Sequence, residues 1–249
     1  MKAHSLFRLL LCVTMLAGCA ASRPEMPDEF STPLDPHYTP AGFFDGHVCQ
    51  WPERPLFFKW IFSSSQYEQL EEITIYSPVG DVLGKFDLSH YRLVKQPGKS
   101  DKRMYLVDTP ISENAPDGWY FAMIQTKNGH TYQARDHIEI GPLAMAGAGM
   151  LPENEAVLTQ PLRELSWKEV PGAKYYQVFV HDVWNDEKLI YQSPHVTEPR
   201  VTLPNDLIKP GGAYLWRVHS RDMNGDPEYG DFNLGSLSVF VSFSVQDGP

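Results

Sequence analysis

The 249-residue chain carries 42% hydrophobic and 21% charged residues and a formal net charge of −10. This length and apolar fraction build one large domain or two of ordinary size and exclude an intrinsically disordered chain. The acidic balance argues against charge-driven binding to nucleic acid or to anionic lipid head groups.

At the N-terminus, Lys2 and Arg8 form a positive region, Leu6 to Leu16 an apolar run broken by Arg8 and Thr14, and the small residues Ala17 and Gly18 follow. This is the layout of a secretory signal, and the run is too short to persist as a spanning helix. The residues Leu16-Ala17-Gly18-Cys19 resemble a bacterial lipobox. The resemblance implies cleavage after residue 18 and a covalent diacylglycerol and N-acyl lipid on Cys19; no other cofactor is expected. Loss of Lys2 and Arg8 with the 1–18 signal leaves 19 basic against 31 acidic residues, a net charge of −12. Membrane attachment must then come from the lipid, and two or more acyl chains give durable anchoring. With Cys12 removed and Cys19 alkylated, Cys49 stands alone, without an intramolecular disulfide, and reads as a small buried hydrophobe.

Residues 19–44 are rich in Pro and polar residues and lack a period of 2 or 3.6, which predicts an extended tether of end-to-end distance on the order of 30 Å. Ala20 and Ala21, with no Asp after the cysteine, match the sorting pattern of outer-membrane lipoproteins facing the periplasm.

Over 45–142 the segments 56–62, 72–78, 82–88, 91–96, 103–109, 119–126 and 130–140 alternate β-branched and aromatic with polar residues. Lys127-Asn128-Gly129 predicts a hairpin turn, because Asn and Gly tolerate positive φ. About seven short strands predict an antiparallel β-sandwich. The sole helix candidate is "SSQYEQLEEI", 64–73, capped by Ser64 or Ser65.

Residues 143–152 interrupt the pattern with small residues, Gly and Pro, and predict a linker that packs on one neighbour. From 153 to 249 alternation returns in 162–167, 174–182, 188–193, 200–204, 213–222 and 237–245. "LSWKEVPGAKYYQVFV" and "LPNDLIKPGGAYLWRVHSRDMNGD" resemble a fibronectin type III domain. The resemblance implies core roles for Trp167 and Tyr176. It also implies a tyrosine corner in which the Tyr214 hydroxyl bonds back to the loop Leu207–Ala213. The first segment resembles the wider immunoglobulin-like class through "PDGWYFAMIQTKNGHTY". The expected fold is all-β, two tandem antiparallel sandwiches.

No H-E-x-x-H, G-x-S-x-G, P-loop or dinucleotide fingerprint occurs, so no catalytic residue is assigned and no enzyme is expected. "HDVWNDE" (181–187) reads as a solvated loop. Asp222, Asn224 and Asp226 have a faint calcium-loop spacing but lack the full pattern, and a turn at Asn224-Gly225 explains them better. Trp60, Trp167 and Trp216 lie in strand patterns that fill cores. Trp51, Trp119 and Trp184 are the candidate binding aromatics, Trp184 foremost because acidic and amide residues surround it; the alternative for Trp184 is a loop anchor. The reading is a lipid-anchored envelope protein that binds a protein partner or serves as a structural component, or alternatively binds a glycan through exposed aromatics.

Overall fold

Alternating segments of this kind bury one face each, and the stable solution is two sheets stacked face to face. The computed structural model describes residues 35–52, 54–95, 97–147, 149–223 and 232–247. The signal peptide, Cys19 and the first part of the tether lie outside the described residues.

In the first sandwich one sheet runs in the order β2 (Gly42–Gln50), β3 (Phe57–Ser64), β7 (Lys102–Pro110), β6 (Arg92–Val94), with β1 (Tyr38–Thr39) paired to β2. The facing sheet is β5 (Val82–Lys85), β4 (Leu70–Tyr76), β8 (Gly118–Thr126), β9 (Thr131–Ile138). The hairpin turn forms as the sequence predicts, with Gly129 at φ 86° and its N–H donating to the Thr126 carbonyl. Trp60 is fully buried between Phe44, Phe58 and Tyr120, and its Nε1–H donates to Thr109 Oγ1 at 2.8 Å. The Tyr120 hydroxyl donates to the Pro116 carbonyl at 2.7 Å, a tyrosine corner that the sequence reading assigned only to the second sandwich.

The second sandwich pairs β11 (Glu164–Ser166) with β14 (Arg200–Thr202) against a larger sheet. That sheet runs β13 (Lys188–Gln192), β12 (Tyr175–Asp182), β15 (Ala213–Arg221), β17 (Val241–Val245), β10 (Ala156–Leu158). Trp167, Tyr176 and Trp216 fill its core. Tyr214 makes the expected corner, its hydroxyl accepting from Lys209 N at 2.9 Å. Leu143, Ala146 and Met150 are buried in this same core.

Two expectations are corrected. Residues 64–73 form no α-helix: only Tyr67–Gln69 make a 3-10 turn before β4. A register shift between Leu70 and Glu72 puts Leu70 and Ile73 on the same buried face, three residues apart, so a bulged strand imitates helical spacing. The tether expected over 19–44 overlaps the fold, since β1 and the start of β2 fall within it.

The run 237–245, read as one strand, belongs to two. Its N-terminal end lies in β16 (Leu234–Leu237), which pairs antiparallel with the end of β15 and parallel with β2. That pairing joins a sheet of each sandwich into one of eleven strands. Joining the sheets removes a row of open backbone groups from β2. Asn233 locks the seam: it is 2% exposed, its Nδ2 donates to Glu139 O at 2.7 Å and its Oδ1 accepts from Glu139 N at 3.3 Å. Leu234 packs on both cores, and the Asp222 carboxylate accepts from its N–H.

Candidate interaction surface

Period-2 alternation decides what this joint sheet shows to the outside. On β15, Tyr214, Trp216 and Val218 enter the core, which leaves Arg217, His219 and Arg221 on the opposite face. On β2, Phe44 and Val48 enter the other core, which leaves Asp45, His47 and Cys49 outward. Across the seam Cys49 and Arg221 are both opposite Gly235, and Arg221 is opposite Tyr175. One transverse row therefore runs from Phe57 through Cys49, Gly235 and Arg221 to Tyr175. Gly235 is required here, because a Cβ would lie 2.8 Å from His219 Nε2.

The cations on this face are treated unequally. Lys59 and Arg54 share the Asp108 carboxylate at 2.7 and 3.1 Å and lie beside the Trp51 and Phe57 rings. His47 pairs with Asp45 at 3.1 Å. By contrast, Arg217 and Arg221 have no carboxylate within ion-pair distance among the described residues, and the Nε atoms of both lack a hydrogen-bond partner. Each guanidinium instead lies over an aromatic ring, Arg217 at 4.3 Å from the Phe240 centroid and Arg221 at 5.1 Å from that of Phe232. Those rings meet their neighbours edge-on: Phe232 with Tyr175 and His195, Phe240 with His181.

Burial sets the titration of this face. It pushes the Cys49 thiol up to about 11, so the thiolate needed for nucleophilic chemistry is scarce at neutral pH. Burial also works to raise Asp45, but His47 through charge and hydrogen bond, aided by His37 and Arg221, brings it below its ordinary value. His219 is held well below the usual imidazole range by burial and then by Arg221, His47, Arg217 and His195. An unfolded imidazole titrates near pH 6.5, so the unfolded chain takes up a proton that folded His219 refuses. Stability is therefore expected to fall as pH drops below about 6.5, by up to about 1.4 kcal/mol per pH unit for this site. His195, lowered by burial and then Arg221, acts in the same direction. Denaturant midpoints measured from pH 7.5 to 5 should decline less steeply in His219→Gln; equal slopes would contradict this assignment.

The aromatic candidates do not converge. Trp184 lies in the 3-10 turn Val183–Asn185, is 75% exposed, and donates its Nε1–H to Gly211 O at 3.3 Å. It stands at the other end of β15 from the seam, near Gly211. Trp51 is half-buried and belongs to the cationic face, edge-on to Phe57. Trp119 is half-buried against His137 with Arg135 5.0 Å from its ring. Asp222, considered for calcium, is engaged with Leu234 N, while Asn224 and Asp226 lie outside the described residues. Among the described residues no group of three or more His, Cys, Asp or Glu is placed to hold a metal.

The sequence reading missed the arginine face, although "RVHSR" in an inward-outward strand already puts Arg217, His219 and Arg221 together. The missing signal was the absence of a nearby carboxylate among the described residues, which only the fold reveals.

No protein-family model matches the chain, and no curated protein matches it. Among solved structures, the tandem immunoglobulin repeats of Dlar align over 83% of this chain and 98% of that one, at 11% identity and a TM-score of 0.34. A titin fragment aligns over 79% and 62% at 15% identity and 0.26. SGBP-B of the Bacteroides ovatus mixed-linkage glucan utilization locus, in complex with a mixed-linkage heptasaccharide, aligns over 80% and 43% at 13% identity and 0.24. The chain thus spans less than two thirds of the titin and SGBP-B chains. Strand order and the paired tyrosine corners make this a tandem immunoglobulin-like β-sandwich protein, with a fibronectin type III-like second unit.

Proposed function

We propose that the chain is a non-catalytic binding component of a bacterial cell-envelope assembly, held at the outer membrane and facing the periplasm by lipid on Cys19. The observation that carries this reading is the shared sheet: two sandwiches joined through β2 and β16 present one continuous outer face, on which Arg217 and Arg221 have no carboxylate partner among the described residues, a display surface and not a reaction centre. The lipobox and the Pro-rich segment supply the anchor and the stand-off. A glycan-binding reading is favoured by one feature, the Trp184 indole at 75% exposure, a flat apolar surface of the kind that stacks on sugars.

The test is fractionation followed by mild-detergent purification of the intact chain. Cys19→Ser should move the protein from the membrane to the soluble fraction, and the lipidated wild type should recover a stoichiometric envelope protein. Sedimentation of Cys19→Ser with membranes at high salt would contradict the anchor, and a clean monomer would contradict the assembly role. Retention on purified cell-wall polysaccharide that Trp184→Ala abolishes would favour the glycan reading instead.

A further inference from the structure

The second sandwich's outer face combines two features that a stability argument does not explain. Among the described residues the half-buried Arg217 and Arg221 have no carboxylate, which leaves donors short of acceptors, an arrangement that stability alone disfavours. Beside them lie exposed apolar side chains: Leu189 at 42%, Val239 at 54% and Phe240 at 39%. Leu189 is opposite His181, whose ring meets Phe240, which in turn lies under Arg217. Exposed apolar residues mixed with arginine have the composition of a protein-interface centre. Arg217 and Arg221 are four residues apart on one strand, so their Cα atoms are separated by about 13 Å. Carboxylates four residues apart in an extended segment have the same separation.

We propose, building on the binding role above, that this face binds an acidic, apolar-containing segment of a partner protein. Its carboxylates are taken by Arg217 and Arg221, and its apolar side chains cover Leu189, Val239 and Phe240. The planar fork of guanidinium N–H donors suits bidentate carboxylate capture. Charge complementarity assigns the sign of the partner, since this cationic strip stands on a chain of net charge −10. An acidic polysaccharide fits less well. The Phe232 and Phe240 rings lie under guanidinium groups and meet their neighbours edge-on, so they offer no open stacking platform, and a polyuronate has no apolar side chains to cover Leu189 and Val239.

The test uses the intact lipidated chain in detergent and a labelled extended peptide with glutamate at every fourth position and leucine and serine between. Fluorescence anisotropy should show binding that weakens with salt and drops at least tenfold in the Arg217→Gln/Arg221→Gln double variant. Leu189→Ser, an exposed-site change that leaves the fold intact, should weaken it independently. The same peptide with glutamine for glutamate should not bind. No binding by the wild type, unchanged binding in the double variant, or equal competition by polygalacturonate at matched carboxylate concentration would each overturn the proposal. If the double variant, with unchanged circular dichroism, still recovers the same envelope partner as the wild type, this face is wrongly assigned while the binding role stands. If the wild type recovers none, the binding role itself fails.

Discussion

Replacing Gly46 by valine is expected to lower the unfolding free energy by about 3 kcal/mol, because overpacking a rigid core forces ring and backbone shifts. A Cβ at Gly46 would lie 2.4 Å from Trp60 Cζ3, 2.7 Å from Cε3 and 2.8 Å from Ile138 Cδ1. Trp60 cannot retreat easily: it stacks on Phe44 at 5.7 Å, touches Phe58 and Tyr120, and is tied to Thr109 through its indole N–H. Gly46 N–H also donates to the buried Asp136 carboxylate at 2.7 Å, so a displaced β2 strand would strain that contact too. At Gly141 the nearest foreign atom is 3.9 Å from a Cβ, and Gly141→Ala should stay within about 0.5 kcal/mol of wild type. Urea unfolding followed by tryptophan fluorescence compares the two. A Gly46→Val protein as stable as Gly141→Ala would contradict the packing described for the first sandwich.

The second large effect falls on the seam. Asn233→Ala removes both the donor to Glu139 O and the acceptor from Glu139 N, and leaves two backbone groups near the junction without partners. Both bonds are part-buried and Glu139 itself is exposed, so water replaces part of what is lost and the expected loss is about 1–2 kcal/mol. The loss should act mainly on the seam, because Asn233 belongs to neither core. Its carbonyl still accepts from Val48 N in the variant, but with its side-chain lock gone the strand that follows is held by β15 alone more of the time.

These effects indicate what a sequence can and cannot show. Strands β3, β8 and β9 were readable because each alternates buried with more exposed residues, and the Lys209–Tyr214 corner was readable because its turn residues have fixed spacing. β2 was not, and the reason is physical. His47 and Cys49 are buried on its outward face, so "GFFDGHVCQ" shows no inward-outward alternation and carries Gly, Asp and His, which favour strands poorly. Such a strand reads as a loop when the side chains that crowd its outward face, His219 and Arg221 among them, come from far along the chain. The bulge at Leu70–Glu72 misled in the opposite direction by giving a strand the spacing of a helix. The arginine face was half legible: alternation places the side chains, whereas their lack of a carboxylate partner among the described residues depends on how distant segments fold together.

The two sandwiches share one sheet and so present a single fixed face. The Val48 amide donates to Asn233 O at 2.9 Å, so its hydrogen exchange reports on the seam more directly than on either core. In the wild type Val48 should exchange nearly as slowly as the core amides of β3 and β15, and in Asn233→Ala it should exchange at least tenfold faster while those core amides keep their protection. Fast exchange at Val48 in the wild type, with both cores protected, would show that the seam is open and would contradict the shared sheet.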